Sequence, residues 1–327
     1  MGSTRRVVRS AVAGLTLLGG SLGAAACSGG TDKARSARSG ATTPTTVPAL
    51  PTVPTTDGVV PEPLADQTPP KGANGLAFDA AGILWLADLA GGQILAVDPG
   101  DGTILVRLAA AQGVASPDDL AFDADGTLWW TDYEGGHLGR IDRPAQPGAA
   151  SVSVADIGPG ANPVAVADDG TVFVGRTILG RGLWALTPGA TTLRQVAGDP
   201  GLINAFAFGP DARLYAPVGD AGTVVAIDPV DGTVEKVASG LSLPVSVRWA
   251  PDGRLLVLGA APAVVSEVNP RTGGVSVIQS ARSDVADNMA FGPDGRLYIT
   301  AFDQPAISVV PTSGGEASVL LIGVRPR

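Results

Sequence analysis

The chain has 327 residues, with 22 basic and 31 acidic side chains, a formal net charge of −9, one cysteine and one histidine. This acidic balance argues against nucleic acid as a partner, because neutralisation of phosphate by cationic side chains dominates such affinities. A single cysteine excludes a disulfide framework. One histidine and one cysteine also cannot assemble a histidine-based nucleophile triad or a zinc site.

The N-terminus predicts a signal peptide over residues 1–26. Three arginines within the first nine residues precede an apolar run that is too short to span a membrane as a helix. Small residues then lead into Cys27, as in bacterial lipoproteins, which this segment resembles and in which the cysteine becomes the lipidated first residue. An ordinary secretory signal with a chance cysteine is the alternative. Lipidation would anchor the chain at the extracytoplasmic face of the cell membrane, with no other membrane contact.

Residues 27–70 are rich in proline, serine and threonine and contain few large apolar side chains. Such a segment cannot bury enough surface to offset its ordering entropy, so we predict a disordered, extended stalk. The pair Val59-Val60 is an exception. It lies about as far ahead of the first repeat described below as Ile104-Leu105 lies ahead of the second, and could add an outer strand.

Residues 71–327 consist of six copies of one motif, in which two short apolar strands flank a tight turn. The sixth copy, Asp287–Thr300, has its turn at Gly292-Pro293-Asp294-Gly295. Further strands and Asp-Pro or Asn-Pro turns complete each unit, and the copies start 41 to 44 residues apart, at Asn74, Asp118, Asn162, Asn204, Val245 and Asp287. This period predicts an all-β domain, a six-bladed β-propeller with four-stranded antiparallel blades. We expect a monomer.

The first residues of the copies define six slots that a closed propeller gathers at one mouth of its central channel. Five of the six side chains carry carboxylate or amide oxygens, and Val245 is the exception. Two carboxylates about 4 Å apart repel by roughly 1–4 kcal/mol, and a hard divalent cation such as Ca²⁺ relieves this repulsion. The alternative is that these residues cap strand starts through local backbone hydrogen bonds.

The repeated pattern, an Asn or Asp before the inner strand, Ala-Phe, an Asp-Gly turn and an Asp-x-x-Gly-Gly turn, resembles the senescence marker protein/gluconolactonase-like region family. It is also similar to NHL-repeat and virginiamycin B lyase-like propellers. In metal-dependent lactonases of the resembled family, the slots supply Glu, Asn and Asp ligands to an ion. Asn162 and Asn204 match two of these positions, whereas Asn74 stands in place of the Glu and Val245 in place of the Asp.

The resemblance implies a metal site formed by Asn162, Asn204, Asp118 and Asp287, in which one of the two aspartates serves as the catalytic base. Other residues near the same mouth are candidates for binding a ligand. They are Asn74, the turn residues Asp88 and Asp132, and Arg248, which replaces an inner-strand alanine. Simple turn chemistry is the alternative for both turn aspartates. For Arg248 the alternatives are an anionic ligand and an aspartate of the protein.

Two functions remain open at this point. The first is a surface-tethered propeller that binds a small molecule or a protein partner at its channel mouth, with a divalent cation as a possible component. The second is a metal-dependent hydrolase of the lactonase type. The sequence favours binding slightly, because the Glu and Asp positions of the resembled family are altered. Trp85 and Trp129 could stack on a sugar, but their strand positions favour packing between blades.

Overall fold

A computed structural model describes residues 60–177 and 180–324. Six four-stranded antiparallel sheets follow one another along the chain, which confirms the predicted all-β six-bladed propeller. The first strands of neighbouring blades contact one another and line the central axis. Cys27 and the predicted signal peptide lie outside the described residues, as does most of the predicted stalk. No helix within the described part of the chain is long and apolar enough to cross a membrane.

Each blade is one continuous stretch of chain that runs from the axis outward, and the strands are numbered in chain order. Blades 1 and 2 contain β1 (Leu76–Phe78), β2 (Leu84–Asp88), β3 (Gln93–Val97), β4 (Ile104–Leu108), β5 (Pro117–Phe122), β6 (Leu128–Asp132), β7 (His137–Ile141) and β8 (Val152–Asp156). Blades 3 and 4 contain β9 (Ala161–Val166), β10 (Val172–Arg176), β11 (Gly182–Leu186), β12 (Arg194–Ala197), β13 (Ala207–Phe208), β14 (Leu214–Val218), β15 (Thr223–Ile227) and β16 (Val234–Ser239). Blades 5 and 6 contain β17 (Pro244–Trp249), β18 (Leu255–Gly259), β19 (Val264–Val268), β20 (Val275–Ser280), β21 (Met289–Phe291), β22 (Leu297–Ile299), β23 (Ala306–Val310) and β24 (Ser318–Leu321). A short 3-10 turn, Ala110–Gln112, connects blades 1 and 2.

The two faces of each blade belong to two different hydrophobic cores, because successive side chains of a strand point to opposite faces. In β2, Leu84 and Leu86 pack in a core shared with Tyr298 of blade 6. The residue between them, Trp85, packs in a core shared with Trp130 of blade 2. Blade 1 is therefore buried between blade 6 and blade 2, and the ring is closed.

A repeated hydrogen bond ties the turn after each of several inner strands to an aromatic residue of the second strand. The indole N–H of Trp85 donates to Asp79 at 2.9 Å, and that of Trp129 donates to Asp123 at 2.9 Å. Asp79 also accepts from the backbone N–H of Ile83 at 2.9 Å, so one carboxylate fixes both the turn and the ring. These tryptophans are buried between blades, as the packing interpretation predicted.

The start of the described chain contacts the outer edge of blade 1. Val60 is exposed and lies in no strand, so it does not form the outer strand considered above; Val59 is not described. Instead, the backbone N–H of Leu64 donates to the carbonyl of Ile104 in β4 at 3.0 Å. The Gln67 side chain donates to the same carbonyl at 2.9 Å and accepts from the Ile104 N–H at 2.9 Å. The segment before blade 1 therefore covers its edge through hydrogen bonds without strand pairing.

Candidate functional site

Three of the six slot residues meet at the channel mouth. Asp287 and Asn74 each lie two residues before the inner strand of blades 6 and 1, and Asp118 is the second residue of the inner strand of blade 2. These three blades are neighbours in the closed ring. The Asn74 side chain lies close to both carboxyl groups, and its hydrogen bonding lowers the pKa of each. The backbone holds them in place as well, since the Gly75 N–H donates to the carbonyl of Asp118 at 2.7 Å. Ring closure thus brings together residues that are 169 positions apart in the chain.

Burial and mutual repulsion set the protonation of this carboxyl pair. Burial is the largest cause that raises the pKa of Asp118 well above its usual value, followed by the charges of Asp287 and Asp119. Burial, followed by the charge of Asp119, raises the pKa of Asp287 to about 7, although hydrogen bonding from Asn74 opposes the shift. The pair therefore retains at least one proton near neutral pH, and its full negative charge develops only in more basic solution.

Tyr133 is a member of this site that the sequence analysis missed. It follows β6 directly, and its ring is buried, with 6% of the residue exposed. Burial, and then the negative charges of Asp118 and Asp287, raise the pKa of Tyr133 to about 12, although hydrogen bonding with Thr177 opposes the shift. The phenol therefore stays protonated and adds a hydroxyl group beside the carboxyl pair. Its place in a Gly-rich turn gave no sign of this orientation.

A second polar layer lies one residue further along the inner strands. The Asn288 amide donates to Asp119 at 2.8 Å, and Arg248 donates to the Asn288 side-chain oxygen at 3.1 Å. The charge of Asp119 opposes the effect of burial, which lowers the pKa of Arg248. Of the two interpretations of Arg248, the structure supports an electrostatic partner within the protein. The guanidinium also donates to the carbonyl of Phe206 at 3.2 Å.

The carboxylates of Asp88 and Asp132 are used within their own turns. Asp88 accepts from the N–H groups of Lys71 at 3.0 Å and Gly91 at 2.8 Å, and from the Gln93 amide at 2.7 Å. Asp132 accepts from the hydroxyl of Ser116 and from the N–H of Gly135 at 2.9 Å. Both aspartates are buried. These contacts agree with the turn interpretation and leave little capacity for an external ligand.

The remaining slots take part in local or interblade contacts. The side-chain oxygen of Asn204 accepts from the adjacent Ala205 N–H at 2.8 Å, which is the local capping alternative. Asn162 is partly buried, and its carbonyl accepts from the Thr131 hydroxyl at 2.7 Å. Val245 is buried in a core between blades 5 and 6. Among the three slot asparagines, only Asn74 is associated with the carboxyl pair in the described part of the chain. Asn162 and Asn204 make other contacts.

The side chains at the channel mouth offer the oxygen ligands that a hard cation prefers. The carboxyl oxygens of Asp118 and Asp287 and the amide of Asn74 are the ligand types that Ca²⁺ takes. Across residues 60–177 and 180–324, no group of three or more histidine, cysteine, aspartate or glutamate side chains is arranged to hold a metal ion. Any cation here would rest on two carboxylates and on neutral oxygens.

Solved structures with the same fold carry several activities. The chain is similar to a gluconolactonase from Xanthomonas campestris, with a TM-score of 0.62 and 22% identity over 74% of this chain and 86% of the other. It is also similar to a catalytically inactive virginiamycin B lyase from Staphylococcus aureus with quinupristin, with a TM-score of 0.60 and 14% identity over 80% and 87%. A third is the calcium-binding protein regucalcin from Agrobacterium tumefaciens, with a TM-score of 0.59 and 16% identity over 72% and 83%.

At these identities the likeness concerns the fold. Neither a protein-family model nor a curated protein matches the chain. The fold and the site together define a six-bladed propeller whose channel mouth holds a carboxyl pair, with Asp118 buried and Asp287 partly buried.

Proposed function

We propose that this propeller is a binding protein that holds a divalent cation, Ca²⁺, at the Asp118–Asp287 pair and presents it to a small-molecule or protein ligand at the channel mouth. The observation that carries the proposal is the convergence of the buried Asp118 carboxyl and the partly buried Asp287 carboxyl on one asparagine. Repulsion between two such carboxylates makes their ionisation costly, and a cation between them removes that cost. A calcium-binding protein with the same fold lends support to this choice of ion.

Each residue has a distinct part in this proposal. Asp118 and Asp287 would supply the anionic oxygens and Asn74 a neutral oxygen. The Tyr133 hydroxyl would contribute a hydrogen bond to a ligand that reaches the mouth. Because the carboxyls must lose their protons to bind an ion, the affinity for Ca²⁺ should rise with pH through the region of pH 7, where Asp287 titrates.

Calcium titration of the chelator-treated protein by calorimetry at pH 8 tests the proposal. We expect binding by the natural sequence and at least about a tenfold loss of affinity in Asp118→Asn and Asp287→Asn, because each removes one anionic ligand. Asp284→Asn serves as the matched control, since this aspartate is exposed and close in sequence to Asp287. An unchanged affinity in both site variants, or no binding by the natural sequence, would overturn the cation site.

The pKa of Asp287, raised to about 7, favours a second candidate function, a lactonase-type hydrolase. A general base works best when its pKa lies near the operating pH. In this second function Asp118 and Asn74 would hold the cation, and Asp287 would stay free of it and accept a proton from an attacking water. A bound cation would supply polarisation of the lactone carbonyl. Lactone hydrolysis before and after chelation separates the two functions. Cation-dependent turnover that is lost in Asp287→Asn supports the enzyme, whereas calcium binding without turnover supports the binding protein.

Attachment to the membrane belongs to the same proposal and rests on the sequence of the N-terminal segment. A lipid on Cys27 and a proline-rich stalk would hold the propeller off the extracytoplasmic face of the membrane. Cys27→Ala should abolish lipid labelling and release the protein from membranes in cell fractionation. Full membrane retention of this variant would contradict the proposed anchor.

A further inference from the structure

The two carboxyl residues of the mouth are each followed in sequence by one half of a direct hydrogen-bonded pair. Asp118 precedes Asp119, and Asp287 precedes Asn288. The Asn288 Nδ2 donates to Asp119 Oδ1 at 2.8 Å, although blade 1 separates the two inner strands in the ring. Both side chains are almost fully buried. This hydrogen bond, which we term the interblade clamp, joins blade 6 to blade 2 immediately beside the repelling carboxyls.

The surroundings fix the orientation of both clamp residues. The Asn288 side-chain oxygen accepts from Ser246 Oγ at 2.9 Å and Arg248 Nη2 at 3.1 Å. With these donors on its oxygen, the amide must direct its nitrogen towards Asp119. The second oxygen of Asp119 accepts from the Val164 N–H at 3.0 Å. The clamp is therefore a fully directed bond whose two ends are held by blades 3 and 5.

Blade 1 leaves room for the clamp because Gly75 occupies the equivalent position of its inner strand. A Cβ at this glycine would lie 2.7 Å from Asp119 Oδ1 and 2.5 Å from the carbonyl oxygen of Asp118. Any larger residue would push into the bond between blades 2 and 6. The absence of a side chain here thus allows the side chains of the two flanking blades to meet.

We propose that Asp119 and Asn288 are positioning residues that hold Asp118 and Asp287 together against their mutual repulsion. This inference rests on the proposed cation site, since a cation is what the paired carboxyls would share. Outer residues that orient metal ligands commonly change metal affinity by about 10- to 100-fold when they are mutated. The clamp differs from an ordinary orienting contact because it acts on two ligands at once, one through each strand.

Exchange of the two residues tests the proposal. Asp119→Asn leaves one side-chain oxygen where the Asn288 amide and the Val164 N–H now use two, and Asn288→Asp sets two carboxylates against each other. Each single variant should therefore weaken Ca²⁺ binding by at least about tenfold. The double variant, Asp119→Asn with Asn288→Asp, rebuilds the same bond with donor and acceptor exchanged and should restore the affinity. If only local charge matters, the two single variants will shift the affinity in opposite directions, which would overturn the clamp.

Two further measurements keep the result interpretable. Thermal unfolding reports whether each variant is folded, and Ser246→Ala offers a milder change that removes one donor to the Asn288 oxygen. It should weaken Ca²⁺ binding by about fivefold with the fold intact. If the natural sequence binds no Ca²⁺, the proposed function fails but the clamp remains testable by carbon-13 NMR of the metal-free protein at one fixed pH. The carboxyl carbon shifts of Asp118 and Asp287 in the exchanged protein should match those of the natural sequence and should differ in both single variants, and identical shifts in all proteins would refute the clamp.

Discussion

Replacement of Asp287 by asparagine removes one ionisable group of the carboxyl pair and keeps a side chain of the same shape. Burial raises the pKa of Asp287 to about 7, against 3.8 for an unperturbed aspartate. Between these two values the native state retains a proton that the unfolded chain has released. The stability of the metal-free protein therefore falls as the pH rises through this interval.

A difference of about three pKa units lowers the unfolding free energy of the natural sequence by about 4 kcal/mol at pH 8, where Asp287 is ionised in the native state. The Asp287→Asn variant has no carboxyl to ionise and is not destabilised in this way. We expect this variant to be more stable at pH 8 by up to about 4 kcal/mol, or roughly 10 °C in melting temperature for a domain of this size. At pH 4 the two proteins should melt at nearly the same temperature, because Asp287 is then protonated in the native state and still about half protonated in the unfolded chain, so little of the difference has developed.

Thermal unfolding in the presence of a chelator, measured from pH 4 to pH 8, provides the assay. Asp284→Asn is the control, since its exposed side chain should leave the pH dependence of stability unchanged. A variant of Asp287 that gains no stability at pH 8, or gains the same amount at pH 4, would refute the reasoning. In chelator-free samples of the same proteins, loss of Ca²⁺ binding would accompany the gain in stability, which separates a functional carboxylate from a structural one.

Two further changes probe the packing that supports the site. Gly75→Ala should cost about 1–3 kcal/mol of unfolding free energy in chemical denaturation, since its Cβ would crowd Asp119. Gly274→Ala should cost much less, because the nearest atom to its Cβ would be the Thr272 Oγ1 at 3.4 Å. Equal losses would contradict the close approach. Trp85→Phe should cost about 2 kcal/mol in the same assay, because the indole N–H donates to the Asp79 carboxylate. No loss would mean that this bond contributes nothing net.

The six-bladed fold could be predicted from the sequence because the motif recurs at a regular spacing. The spacing of the copies and the alternation of large and small side chains specify blades, because those features depend only on local geometry. The meeting of Asp118 with Asp287 also followed from ring closure, which places the last blade beside the first. Local patterns carry this information even when the two residues are far apart in the chain.

The second polar layer could not be predicted in the same way. Asp119 and Asn288 occupy inner-strand positions where the other blades carry Gly75, Pro163, Ala205 and Ser246, so the repeat gives no common rule for them. Their pairing depends on a bond across an intervening blade, which no spacing encodes. Tyr133 was missed for a related reason, since the direction of a side chain in a turn depends on its tertiary neighbours.

The closed ring has one junction that no stretch of backbone crosses, the contact between the first and last blades. Its core and the approach of Gly323 to the Gly102 carbonyl, at 2.9 Å, hold it by noncovalent contacts alone. The carboxyl pair and Asn74 straddle this same junction. A ligand that contacts all three residues would stabilise the junction between blades 1 and 6. Binding at the mouth would therefore also protect the chain ends from fraying and proteolysis.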